Sequence, residues 1–83
     1  MGPYTEKGEI RTFSKDVDSE ELKWHRDRED RIVTPVSHND WMFQRDNQLP
    51  QPIEGEIRIG RGEWHRVIKG TTDLVVRVQK GID

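Results

Sequence analysis

Short segments of alternating apolar and polar character, separated by turn-forming residues, are the feature that most constrains the fold of this chain. The clearest example runs from Ile57 to Gly70, where two such segments flank Gly60 and Gly62. Alternation with a period of two is typical of strands that bury one face, and glycine is common in the turns between them. His65 follows this turn, and the pattern predicts that its imidazole points into the interior of a barrel.

Similar segments recur along the chain. They occupy residues 8–13, 32–36, 41–45 and 74–78, and turn-forming residues lie between them. Pro35 lies within the second of these and predicts an edge strand or a bulge there. Several short strands with frequent turns indicate an all-β sandwich or barrel.

Residues 16–31 admit two interpretations. Asp18 and Glu21 have the spacing of a capping box, which favours the start of a helix. A helix continued to Arg31 would have no apolar face, because only charged residues follow Trp24 apart from a histidine. An extended segment separates two faces. One face carries Trp24, Arg26, Arg28 and Asp30, and the other carries His25, Asp27, Glu29 and Arg31. We therefore predict an extended segment.

The chain is short and rich in charge, which limits the size of its core. It has 83 residues, of which 30% are apolar and 36% charged, and this length is near the lower limit for a single unstapled core. We expect residues 1–18 to form a polar N-terminal arm or edge strand that is partly flexible, and residues 19–83 to form the domain. Dimerisation would supply further burial, so a homodimer is predicted.

Composition also excludes several kinds of partner. The chain has no cysteine, which excludes disulfides and thiolate metal sites. Fourteen basic residues are interspersed with sixteen acidic ones, and without a sustained basic patch we expect no binding to nucleic acid. No apolar run has the length of a membrane span or the form of a signal peptide. We therefore expect no membrane partner and a cytoplasmic location.

Two histidine motifs carry a resemblance to a known family. The patterns His25-x-Asp27 and Gly62-x-x-His65, followed by a last apolar segment, resemble the cupin family, particularly its smallest single-domain members. The resemblance covers roughly residues 22–80. It implies a small double-stranded β-helix, or jelly-roll, barrel that is usually dimeric and has a metal near its mouth.

The two motifs also depart from the family pattern. In cupins the first motif supplies His-x-His and a glutamate four or five positions on, and the second reads Pro-x-Gly-x-x-His. Here Asp27 stands at the second histidine position, Arg31 stands about where the glutamate belongs, and Gly60 replaces the proline. The resemblance therefore implies a ligand set that differs from the family's own.

That ligand set is His25, Asp27 and His65. Two histidines and a carboxylate suit one divalent ion, Fe, Mn, Ni or Zn, with open coordination positions. Arg31 would place a permanent cation beside the ion unless Glu29 or Asp30 shields it. In the alternative interpretation the histidines are ordinary surface or hydrogen-bonded residues, and the neighbouring charges form a solvated ladder of ion pairs.

Three functions remain open on the sequence. A metal-dependent enzyme would use Glu29 as a fourth ligand or base. A non-catalytic ligand-binding module would hold an anionic group with Arg31 and Arg45 in the barrel mouth. Trp41 and Phe43 either bound a small cavity as ligand-binding residues or, in the simpler interpretation, belong to the core. The third is an assembly protein.

An assembly protein would use the barrel as a dimeric scaffold without metal. Trp24 and Trp64 each precede a motif histidine, so they would lie on the outer face and at the dimer interface. Among the three functions, we predict a histidine-lined pocket that binds a metal, a small polar or anionic ligand, or both. The sequence leaves open whether the protein catalyses a reaction.

Overall fold

Two antiparallel sheets make up the described part of the chain, residues 2–81 of a computed structural model. The strands are β1 (Thr5–Lys7), β2 (Ile10–Phe13), β3 (Arg31–Pro35), β4 (Met42–Arg45), β5 (Gln51–Pro52), β6 (Ile57–Ile59), β7 (His65–Ile68) and β8 (Leu74–Lys80). The larger sheet has the order β1-β2-β8-β3-β6, and the smaller one has the order β5-β4-β7. The all-β prediction is confirmed.

The strand pairing follows one long hairpin that is wrapped across both sheets. Ile10 pairs with Arg77, Arg31 with Ile59 and Phe43 with Gln51. An isolated bridge joins His25 to His65 between these pairs. For each of these four pairs, the midpoint in sequence between the two partners falls in β4 or in the loop that follows it. The early and late halves of the chain therefore lie side by side along their length.

The turn between β6 and β7 crosses from one sheet to the other. β6 pairs with β3 in the larger sheet, whereas β7 pairs with β4 in the smaller one. Gly62 lies in this turn at φ 78°, a conformation that glycine adopts without steric cost. Its N–H donates to the carbonyl oxygen of Asp27 at 2.9 Å, which ties the turn to the segment that carries two of the motif residues.

Residues 16–31 contain one short helical turn and are otherwise extended. A 3-10 turn spans Ser19–Glu21, and the Asp18 carboxylate caps it by accepting the Glu20 N–H at 3.0 Å. The long helix that we disfavoured does not form. His25 makes its bridge to β7, and β3 begins at Arg31.

The proline in β3 lies at a local edge. Pro35 pairs with Val76 of β8, whereas the pairing with β6 ends at Val33. The next residue, Val36, donates its N–H to β8 at 2.9 Å. N–H groups alternate between the two sides of a strand. The missing N–H of Pro35 would therefore point to the side on which β6 no longer pairs with β3, so no strand hydrogen bond is lost.

The predicted N-terminal arm supplies two strands. β1 is the edge of the larger sheet and its three residues are exposed. β2 lies between β1 and β8, and Phe13 belongs to the core. The predicted boundary at residue 18 falls at the cap of the 3-10 turn.

The core lies between the facing sides of the two sheets. Its largest fully buried side chains are Trp41 and Leu74, and the Trp41 indole N–H donates to the carbonyl oxygen of Thr72 at 2.5 Å. The other members of this buried cluster are Phe13, Phe43, Ile53, Ile57, Ile59, Val76 and Val78, and Ile32 is buried outside it. Within residues 2–81, no helix has the length and apolar character needed to cross a membrane.

Candidate metal site

A cavity of about 370 Å³ lies between the two sheets. Its walls are mostly apolar and include Val33, Phe43, Ile57, Val67 and Val76. Its charged and ionisable lining residues are Arg11, Glu21, Lys23, His25, Asp27, Arg31 and His65. Such a combination of apolar walls and a few convergent polar groups is typical of small-molecule sites.

His25, Asp27 and His65 meet because of the bridge between two extended segments. The backbone N–H of each histidine donates to the carbonyl oxygen of the other, at 3.0 Å and 2.9 Å. Asp27 follows His25 by two positions and therefore faces the same side of its extended segment. The Asp27 carboxylate lies 3.4 Å from His65 Nε2 and 3.9 Å from His25 Nε2.

The hydrogen bonds of both imidazoles assign their tautomers. Nδ1 of His25 lies 3.0 Å from the Lys23 carbonyl oxygen, and Nδ1 of His65 lies 2.8 Å from that of Glu63. A carbonyl oxygen only accepts, so each Nδ1 carries the hydrogen and each neutral ring leaves a lone pair on Nε2. Both lone pairs are then available on the Asp27 side of the rings.

Burial keeps the more enclosed of the two rings neutral. It lowers the pKa of His65 below the usual 6.5 because the charged form loses solvation, even though the Glu63 carbonyl favours that form. At pH 7 the imidazole is therefore uncharged and can act as a metal ligand. The His25 side chain is 54% exposed, so it forms the solvent side of the cluster.

Asp27 lacks the partners that a buried carboxylate normally has. Its side chain is 7% exposed, and Oδ2 has no hydrogen-bond partner among the described residues. The nearest ring atom, His65 Nε2, is an acceptor in the assigned tautomer. A buried acceptor that faces another acceptor is unfavourable unless a proton or a cation lies between them.

The three ligand atoms are close enough to share one ion once their side chains move toward it. They all lie within 4.8 Å of one another, so the group could hold a metal ion. Metal–ligand distances of about 2.0–2.2 Å place two ligands of one ion no more than about 4.4 Å apart. Two ligands on opposite sides of the ion would close by a few tenths of an ångström, whereas two adjacent ligands of a tetrahedral ion, about 3.4 Å apart, would close by about 1.4 Å.

Arg31 lies beside the group formed by His25, Asp27 and His65, and Glu29, one of its two predicted acidic neighbours, lies close to it. Its Nη1 is 3.4 Å from Asp27 Oδ1, and its Nη2 is 3.8 Å from Glu29 Oε1. Glu29 therefore approaches the arginine and does not belong to the three-residue metal group. Asp30, the other predicted shield, instead accepts the Arg61 N–H at 2.8 Å.

The other predicted ligand-binding residues divide between two locations. Phe43 lines the cavity, with its ring centroid 5.6 Å from that of His65. Trp41 lies in the core and Arg45 pairs with Glu63 at 2.6 Å, so the structure brings neither of them to the cavity wall. Arg45 also donates to the carbonyl oxygen of Arg58 at 2.8 Å, which fixes it against the crossing turn.

Sequence reasoning missed Arg11, a buried arginine that lines the cavity. Its Nε donates to Glu6 at 2.8 Å, and its guanidinium lies 4.4 Å from the centre of the Tyr4 ring. The inward direction of Arg11 was predictable from its position two residues before Phe13, because alternation places both on the same face of β2.

Trp24 and Trp64 lie on the outer face, opposite the histidines, as predicted. Both are exposed. The guanidinium of Arg66 lies 4.8 Å from the Trp24 ring centre, and that of Arg26 lies 5.3 Å from the Trp64 ring centre. Each indole therefore has a cation–π contact with the opposite extended segment.

No protein-family model, curated protein or solved structure matches this chain.

Proposed function

We propose that this protein is a small cupin-like jelly-roll barrel that binds one divalent transition-metal ion through His25, Asp27 and His65. A hairpin wrapped over two antiparallel sheets is the strand arrangement expected of a jelly roll. The resemblance implies that His25 and His65 are metal ligands, and the backbone bridge that joins them supports this proposal. The cavity beside them would hold a small ligand.

The main support for a metal ion is the buried carboxylate oxygen of Asp27. The buried Asp27 Oδ2 faces the lone pair of His65 Nε2 at 3.4 Å and has no hydrogen-bond donor within residues 2–81. A divalent cation between them would turn this unfavourable contact into two coordinate bonds. Three protein ligands leave coordination positions open, and a metal bound in this way acts as a Lewis acid toward an oxygen-containing ligand.

Metal titration of chelator-treated, untagged protein tests the proposal. Zn, Ni, Mn and Fe, the last without oxygen, are added separately, and bound metal is measured by elemental analysis after dialysis. We expect one ion per chain and a higher unfolding temperature, because an ion that binds only the folded state stabilises it. Affinity should rise from Mn through Fe to Ni.

Two histidine variants make this test specific. His25→Gln removes an exposed ligand with little risk to folding and should weaken metal binding by about tenfold or more. His38→Gln is the matched control, because His38 is the third histidine, is exposed and lies outside the cluster. Absence of bound metal, or equal losses in the two variants, would contradict the proposal.

A second candidate function is assembly through the outer face, and the exposed Trp24 and Trp64 favour it. Aromatic residues are enriched at the cores of protein interfaces. In this proposal two copies associate through the indole-bearing face as a homodimer, with the barrel as scaffold.

Light scattering at micromolar concentration tests the homodimer. We expect twice the chain mass of 9.8 kDa, and Trp64→Ala should shift the protein toward the monomer. Leu49→Ala is the control, since Leu49 is 87% exposed and lies in the loop after β4. A monomeric wild type, or equal effects of the two substitutions, would contradict this role.

A further inference from the structure

The charges around the proposed metal do not balance. With both histidines bound to the ion as neutral ligands, the ion and Arg31 together carry more positive charge than Asp27 and Glu29 neutralise. Glu21 and Lys23 also line the cavity, and their opposite charges leave this excess unchanged. Asp27 is also the closest carboxylate to Arg31, and metal coordination would draw its charge toward the ion. A metal-loaded site therefore favours an additional anion near Arg31.

Arg31 retains the donors that such an anion needs. Its side chain is 16% exposed, and its Nε finds no acceptor in the described part of the chain. Its contacts of 3.4 Å and 3.8 Å are longer than the roughly 2.7–2.9 Å of a strong charge-assisted hydrogen bond. Arg31 lines the cavity, and a carboxylate that reached its guanidinium would accept from it in bidentate geometry.

The rest of the cavity selects for an apolar body. Val33, Phe43, Ile57, Val67 and Val76 form much of its wall, and a volume of about 370 Å³ lies in the range of small-molecule sites. Burying a hydrocarbon or aromatic group against these residues would remove apolar surface from water.

The second buried cation of the cavity is already neutralised. Arg11 pairs with Glu6 at 2.8 Å and stacks on Tyr4. It therefore does not call for a second anionic group on the ligand. A ligand with one carboxylate fits these charges better than one with two.

We infer that the cavity binds a small monocarboxylate with an apolar body, whose carboxylate lies between the metal and Arg31. This inference rests on the proposed metal site, because the ion supplies the positive charge that attracts the carboxylate. Binding of the metal and of the carboxylate is then coupled, so each raises the affinity for the other.

Calorimetric titration of the zinc-loaded protein tests the inference, with phenylacetate as the probe. Acetate lacks the apolar body, 2-phenylethanol lacks the charge and succinate carries a second charge. We expect phenylacetate to bind about tenfold or more tightly than each of these, and about tenfold or more tightly than it binds chelator-treated protein. Inorganic phosphate serves as a further anion and should bind more weakly than phenylacetate.

Arginine variants locate the carboxylate. Arg31→Gln should lower the phenylacetate affinity of the zinc-loaded protein by about tenfold or more, because it removes a charged donor, without weakening zinc binding. Arg31→Lys keeps the charge and should recover part of that loss. Arg45→Gln is the matched control, since Glu63 holds Arg45 away from the cavity wall.

The possible outcomes separate the two proposals. If zinc does not bind, the proposed metal site and the carboxylate inference are both wrong. If zinc binds but phenylacetate does not, or if phenylacetate binds chelator-treated protein equally well, only the carboxylate inference falls. Equal effects of the Arg31→Gln and Arg45→Gln substitutions would also overturn it.

Discussion

Asp27 combines burial with an unsatisfied carboxylate oxygen, a combination that folded proteins rarely keep without a use. Its Oδ2 lies against the acceptor nitrogen of His65, and its Oδ1 lies 3.4 Å from Arg31. In the metal-free protein this arrangement costs stability, because a buried acceptor without a donor loses its hydration. A residue of this kind is a candidate for function at the expense of stability.

Replacing Asp27 by asparagine tests whether this residue supports metal binding at the expense of stability. The side-chain oxygen would still face Arg31, while the amide would offer an N–H to His65 Nε2. We expect the metal-free Asp27→Asn protein to be as stable as the wild type or up to about 1 kcal/mol more stable. The stabilisation by added zinc should disappear. Urea denaturation with chelator and with zinc measures both quantities.

Asp46→Asn in the exposed loop after β4 provides the control, and it should retain the zinc effect. A loss of more than about 1 kcal/mol in the metal-free Asp27→Asn protein would contradict the argument, because buried-group penalties are of that size.

The residues of the site were predictable to different degrees. His25, Asp27 and His65 follow from two short motifs, because alternation within an extended segment places the first two on one face. Arg45 was predicted beside the cavity, but the structure holds it against Glu63. That contact depends on how the turn after β6 crosses between sheets, and alternation does not encode this.

Loops join the elements through a few tight contacts, and the clearest connects the residues before β4 with the turn after β7. The Asp40 carboxylate accepts from the Thr71 hydroxyl at 2.5 Å and from the Thr71 N–H at 2.8 Å. These bonds, the hydroxyl first, lower the pKa of Asp40 below its usual 3.8. Gly70 lies against the same carboxylate, and a Cβ there would overlap it.

Gly70→Ala should therefore destabilise the protein by about 1–3 kcal/mol, the usual cost of forcing extra volume into a packed site. The Asp40 backbone, 2.8 Å from such a Cβ, would have to move together with its side chain. Thermal or urea denaturation measures the loss.

Gly60→Ala is a close control. Both glycines lie outside the left-handed region, but a Cβ on Gly60 would have no neighbour within 4 Å. We expect its stability to stay within about 0.5 kcal/mol of the wild type, as for most surface substitutions. Similar values for the two variants would contradict the proposed overlap at Gly70.

At the level of elements, apolar alternation predicted β2, β3, β4, β6, β7 and β8. It gave no signal for β1, whose three residues are exposed, or for β5, which has only two residues. Both are short edge strands held by backbone pairing to a neighbour. Their side chains bury too little apolar surface to leave a pattern in the sequence.

The whole molecule is organised by pairing between residues that are far apart in sequence. β2 pairs with β8, and β3 pairs with both β8 and β6. The strand pattern alone predicted an all-β protein without a strand order, because alternation says which face is buried and not which strand is the neighbour. The motif resemblance implied a jelly-roll barrel, and this remains a proposal.

Because the wrapped hairpin pairs the first half of the chain with the second, a chain cut at the tip of the hairpin would give two interdependent fragments. A cut between Gln48 and Leu49 would leave β1, β2, β3 and β4 on one fragment and the other strands on its complement. Apart from the β1–β2 hairpin, every strand pairing would then join one fragment to the other. Neither fragment can build a sheet of more than two strands from these pairings alone, so each should be disordered.

Mixed together, the fragments should reconstitute the fold by complementation, with a strand-rich circular dichroism spectrum that neither gives separately. The proposed ligands would be divided as well, with His25 and Asp27 on one fragment and His65 on the other. Zinc would then strengthen the association of wild-type fragments and not of a pair carrying His25→Gln. If the proposed site binds zinc, the ion would thereby join two separate molecules, and the affinity of one fragment for the other would report on metal binding.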